Sequence, residues 1–144
     1  MTREEAYKEL KSYRASIVKC ESLNRHIREL RSRMYNLRIG TNDSDVVQGG
    51  GVSDSLERLI DEIDGYCHKY GEAVIDGEKV REGIEAKVEA LEFPSGEVLR
   101  RKYLDGQSYE KIAVEMSRRY RRNYSYENVR QIAVRAIDFY CKLS

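Results

Sequence analysis

Apolar side chains in the first part of the chain recur at alternating spacings of four and three. Ala6, Leu10, Tyr13, Ile17, Cys20 and Ile27 follow this rule, with Asn24 in one slot, and Leu30, Met34 and Leu37 continue it after a skip. Such a stripe predicts a long amphipathic helix with a coiled-coil-like seam over residues 3 to 38. Thr2 and Glu5 have the spacing of a capping box at its start, and Gly40 with the polar stretch 41–45 ends it. Asn24 fixes register or oligomeric state if it faces a partner, and does neither if the seam is rotated so that it faces solvent. Residues 40–53, which include Gln48-Gly49-Gly50-Gly51, read as a flexible connector. Ser53 and Asp54 then cap a second long helix carrying Leu56, Leu59, Ile60, Ile63, Cys67, Tyr70, Val74, Val80, Ile84, Val88 and Leu91. Gly71, Gly77 and Gly83 weaken it, and a break, if one occurs, falls near Asp76-Gly77.

Phe93-Pro94-Ser95-Gly96 marks a boundary, with Ser95 as cap of the next element. Residues 97–105 form one helix that Gly106 stops. Ser108 caps another through Met116, with Ile112, Ala113 and Met116 inward. Ser125 caps a last helix, Glu127 lies near its positive end, and Val129, Ile132, Ala133, Ala136, Ile137 and Tyr140 recur at helical spacing. That pattern turns Tyr126, Glu127, Asn128, Arg130, Gln131 and Arg135 to other faces, a polar set suited to base edges. The fold expected is all-α. Residues 1–92 make a long antiparallel helical hairpin, coiled-coil-like, and residues 95–144 make a helix-turn-helix.

Residues 97–140 resemble region 4 of sigma factors of the sigma-70 type, in which a leucine-rich helix ending Tyr-Leu-Asp-Gly precedes a Ser/Thr-capped helix and a recognition helix. Ser125, Glu127, Val129, Arg130, Gln131 and Ile132 stand at matching positions. The resemblance implies that Glu127 and Gln131 read bases and that Arg130 contacts a base or phosphate. Tyr126 and Asn128 stand where the family carries other residues, Arg in the first case, which leaves the preferred base sequence undefined. The stretch 117–124 is about six residues longer than the family's tight turn, so either the preceding helix extends or a longer basic loop forms. Both bring Arg118, Arg119, Arg121 and Arg122 beside the duplex, with Tyr120, Tyr124 and Tyr126 as the tyrosines placed to touch it. In size and order of parts the whole chain resembles the ArpU-like or RinA-like late transcription regulators of phages and prophages.

Charge sharpens this picture. The net charge is only +1, but residues 95–144 hold eleven Lys/Arg against six Asp/Glu (+5), so the positive end is the helix-turn-helix end. Residues 1–39 carry ten basic and five acidic side chains (+5) and residues 40–94 five and fourteen (−9), so the two long helices attract. They pair within one chain or between two, as a homodimer. Arg100, Arg101 and Lys102 read first as a solvated helix face. Cys20, Cys67 and Cys141 lack paired spacing and read as reduced thiols; His26 and Cys67-His68 read as non-ligands, so no metal or cofactor is expected. No apolar run approaches a bilayer span or a signal peptide, which implies a cytoplasmic protein without a membrane partner.

No phosphate-cradling glycine motif, nucleophile elbow or paired carboxylate site stands out, so no enzyme and no catalytic residue is expected. The leading expectation is a transcription regulator binding double-stranded DNA. A DNA-packaging protein similar to small terminase subunits is the first alternative. The second is an interaction module whose sigma-like tail binds RNA polymerase.

Overall fold

The computed structural model describes residues 1–43 and 50–143, with side chains described outside 40–53. Among them every regular element is helical. Helix α1 runs Arg3–Asp43 and α2 Gly50–Glu89; α3, Ser95–Leu99, continues directly into a π-helical turn, Arg100–Leu104; α4 runs Tyr109–Tyr120 and α5 Tyr126–Lys142. The capping box at the start of α1 is reciprocal: Thr2 N donates to Glu5 Oε2 at 2.9 Å, and Glu5 N donates to Thr2 Oγ1 at 3.1 Å.

Several boundaries differ from those read off the sequence. Helix α1 passes Gly40 and reaches Asp43, because a glycine in a helix costs about 1 kcal/mol but raises no steric stop. Helix α2 begins at Gly50, ahead of the expected Ser53-Asp54 cap, so both helices enter the expected connector, and only 44–49 lies outside the described residues. No break occurs near Asp76-Gly77. A Cβ on Gly77 would lie 2.8 Å from Ser16 Oγ, so the glycine leaves room for the Ser16 side chain of α1. Gly83 is exposed and has nothing within 4 Å of such a Cβ. Gly83→Ala should therefore raise stability by about 0.5–1 kcal/mol in urea melts, whereas Gly77→Ala should lower it. Ser95 is the first helical residue; the N-cap position is Pro94, with no side-chain cap hydrogen bond. Gly96 follows, buried, with space for a Cβ closed by Val88 O at 2.7 Å.

The contacts group the chain into two compact units, residues 1–16 with 77–144, and residues 17–76. In the first, one apolar cluster takes Ala6 and Leu10 from α1, Ile84 and Val88 from α2, Leu99 from α3, Tyr103 and Leu104 from the π turn, and Ala136, Ile137 and Tyr140 from α5. Outside it Lys87 Nζ meets both Glu9 carboxylate oxygens at 3.0 Å and lies over the Tyr140 ring. A second cluster joins Val98, Ile112, Ala113, Met116, Val129 and Ala133. Helix α5 belongs to both, because its apolar positions repeat at helical spacing over its length.

In the second unit Ile27, Leu30, Ile63 and Ala73 are buried, and His26 stacks against Tyr66 with ring centroids 4.3 Å apart. Asn24 is exposed and Leu23 half-buried, so the seam is rotated away from Asn24. Ile60 and Val74 are likewise exposed, and Ala73 takes the inward place beside Val74.

Candidate nucleic-acid interface

Helices α4 and α5 are joined by residues 121–125, with α4 reaching one turn past Met116 to Tyr120. The extra residues of this region therefore lengthen the helix and leave a connection of ordinary size. Both helices start on serine caps: Ser108 Oγ accepts from Lys111 N at 3.2 Å and Ser125 Oγ from Asn128 N at 3.1 Å. The connection is clamped by Ser117, whose hydroxyl accepts from Tyr124 N at 2.9 Å and donates to Tyr124 O at 3.1 Å. One residue thus fixes the loop's exit toward α5.

Arg118, Arg119, Arg121 and Arg122 are all exposed on this turn, and none forms an ion pair among the described residues. Arg118 and Arg119 lie in the last turn of α4, where the helix dipole favours cations. Arg121 has φ 52°, the left-handed region, at the position that closes the helix. Glycine would be the low-cost residue there, and a side chain costs about 1–2 kcal/mol. The chain accepts that strain and places a cation at the tip of the turn. Tyr120 and Tyr124, expected as contact tyrosines, are half-buried against the second cluster, Tyr120 with Phe93 edge-on at 4.7 Å. Their rings pack; they are not presented.

On α5 the buried stripe is Val129, Ala133, Ala136, Ile137 and Tyr140, with Ile132 half-buried. Tyr126, Glu127, Asn128, Arg130, Gln131 and Arg135 are exposed. Glu127, Gln131 and Arg135, spaced by four, form one line up the outer face, about 12 Å long at 1.5 Å per residue. These side chains are also coupled. Arg130 Nε donates to Glu127 Oε2 at 3.1 Å and Arg130 Nη2 donates to Glu127 Oε1, with Gln131 on the next turn beside the same carboxylate. Chiefly the Arg130 hydrogen bond holds the Glu127 carboxyl below its usual range, and Arg130 is held above its own by the same contact. A fixed acceptor next to two fixed donors is a side-chain pattern able to match a pattern of base edges.

Other neighbours were not legible as part of this surface. The Tyr126 ring lies edge-on to Tyr109, centroids 5.9 Å apart, and Lys102 Nζ is 4.2 Å from the Tyr109 ring centroid. Arg3 Nη2 donates to Val134 O at 3.4 Å and Arg3 Nε pairs with Asp138 at 3.2 Å, which sets the first turn of α1 against α5. Arg3, Tyr7 and Lys11 recur every four residues, the signal that could have shown a shared face. Arg100 and Arg101 are not a solvated face: Arg100 pairs with Glu85 at 2.8 Å, and Arg101, its side chain 11% exposed, bonds Glu97 at 2.8 Å and also Glu115. Burial works against the charge of Arg101, but the two carboxylates outweigh it and its pKa is raised.

Among the described residues no three His, Cys, Asp or Glu side chains come together as metal ligands, and no helix is long and apolar enough to cross a membrane. No protein-family model matches the chain, and neither does any curated protein or solved structure.

Proposed function

We propose that the chain is a transcription regulator that binds duplex DNA through a helix-turn-helix made of α4 and α5, with α5 in the major groove. The observation that carries this is the outer face of α5. Its capped N-terminal turns present Glu127, Arg130, Gln131 and Arg135 along about 12 Å of helix, directly after a turn bearing four arginines without carboxylate partners among the described residues. Gln131 reads adenine and Arg130 guanine, while the turn arginines hold phosphates and add affinity without specificity. Glu127 then has two roles, as an acceptor for a base amino group and as a partner that keeps Arg130 from binding phosphate indiscriminately. Ahead of this module α1 and α2 form an antiparallel hairpin. Support comes from the order of contacts within the first unit, Glu9 with Lys87 and Ser16 with Gly77, in which one number rises as the other falls. The opposite charges of the two helices favour the same pairing.

The division of labour is testable by titrating preferred and random duplexes. Gln131→Ala should cost about 1–3 kcal/mol on the preferred duplex and little on the random one. Arg121→Ala should weaken both alike. Equal losses on both duplexes for both variants contradict the assignment.

A further inference from the structure

The edge of α5 formed by Tyr126, Arg130 and Val134 does not face open solvent alone. Beside Tyr126 stands Tyr109, and over the Tyr109 ring sits the Lys102 ammonium at 4.2 Å. Burial, with Tyr7 on α1 among the neighbours of both, pushes the Tyr103 and Tyr109 hydroxyls above their ordinary pKa. Lys11 Nζ in turn lies 5.6 Å from the Tyr7 ring centroid. A shallow cleft of about 560 Å³, lined by Arg3, Glu4, Tyr7, Lys11 and Val134, joins this row to the middle of α5. Two ammonium groups are therefore supported on tyrosines along one edge of the same helix.

Their state of charge pairing is what points to a partner. Among the described residues neither Lys11 nor Lys102 has a carboxylate within ion-pair distance, whereas Arg3, Arg100, Arg101 and Arg130 all do. An ammonium over an exposed tyrosine face gains only about 0.5–1 kcal/mol, so the ring positions it without consuming it. Asp138 is taken by Arg3, leaving Glu4 as the carboxylate of the cleft. The edge thus offers fixed positive charge, aromatic support and few competing acids, which is the complement of a phosphodiester backbone and not of an acidic peptide needing an apolar groove.

We propose that Lys11 and Lys102 bind the phosphates of the DNA strand running along the Tyr126–Arg130–Val134 edge of α5, so that the first helix of the chain is part of the duplex-binding surface. This rests on the reading of α5 as the groove helix and extends the interface beyond the helix-turn-helix. Each phosphate contact adds about 0.9 to the magnitude of the log-log salt slope, and near 0.1 M salt it is worth roughly tenfold in affinity. The probe is fluorescence anisotropy on a preferred and a random duplex between 50 and 300 mM salt. Lys11→Gln with Lys102→Gln should reduce the magnitude of the slope by about 1.8 and weaken both duplexes equally, with the thermal melt lowered by no more than the few degrees that loss of the two ring contacts costs. Lys11→Arg with Lys102→Arg should restore the slope. A glutamine double variant that keeps the wild-type slope and affinity, while Gln131→Ala still loses discrimination, overturns this inference and spares the function. Wild-type protein that binds neither duplex overturns both.

Discussion

Replacing Arg118, Arg119, Arg121 and Arg122 together by alanine is expected to remove most of the salt dependence of duplex binding. If each guanidinium neutralises one phosphate, the four supply a log-log slope of about 3.6, or roughly a hundredfold loss of affinity between 50 and 200 mM salt. The four are exposed and outside every ion pair of the described residues, so no carboxylate competes for them; the one contact given is Arg119 over the Tyr120 ring at 5.7 Å. Their removal costs only the exposed Arg119–Tyr120 ring contact, about 0.5–1 kcal/mol, and the variant should keep its helical content. Arg121 allows the roles to be separated. Its left-handed backbone suits glycine, so Arg121→Gly should melt higher than wild type by about 1 kcal/mol yet bind duplex more weakly. Binding that retains its wild-type salt slope in the quadruple variant would remove the turn from the interface.

Leu10→Ala is expected to destabilise the C-terminal half of the molecule, although the residue lies near the other end of the chain. Leu10 is fully buried in the cluster that includes Leu99, Leu104, Ile137 and Tyr140. Truncating such a leucine costs about 3 kcal/mol, the transfer of its methyl and methylene groups plus the cavity they leave. At about 3–4 °C per kcal/mol for a chain of this size, the melting temperature should fall by roughly 10 °C. The same packing predicts that residues 95–144 alone melt without a cooperative transition, because Ala6, Leu10, Ile84 and Val88 complete their core. An isolated fragment as stable as the whole chain would contradict this.

What the sequence disclosed and what it hid divide along a physical line. Local signals were readable: the Thr2–Glu5 box, the caps at Ser108 and Ser125, the left-handed stop at Gly106 and the buried stripe of α5 all arise within a few residues of one another. Glycine was the main source of misplaced boundaries. Gly40 and Gly77 carry the same intrinsic penalty wherever they fall, but at Gly77 the side chain of Ser16 on a second helix lies too close for a Cβ, a fact not held by the local sequence. At Phe93–Gly96 one helix gives way to the next, since α2 ends at Glu89 and α3 starts at Ser95, while the core passes across it, as α1 and α2 supply four of the ten residues in the larger cluster.

The interface shows the same split. Glu127, Arg130 and Gln131 could be singled out by spacing and resemblance, and all three are exposed, with Arg130 hydrogen-bonded to Glu127 and Gln131 beside the same carboxylate. That Tyr120 and Tyr124 are half-buried was not legible, because an aromatic beside arginines has the same sequence signature whether its ring is offered outward or packed beneath them. Arg101 was misassigned because its carboxylate partner Glu115 lies fourteen residues away on another helix. The proposal for Lys11 and Lys102 had no sequence signal, because tertiary packing alone seats them over Tyr7 and Tyr109.

The most direct measurement is selection from a random duplex-DNA pool at near-physiological salt, run in parallel on wild type and Gln131→Ala. A groove-reading α5 predicts an enriched motif for the wild type that is lost or broadened at one or two positions in the variant. No enrichment for either protein, or the same motif at the same strength for both, would contradict readout by this helix.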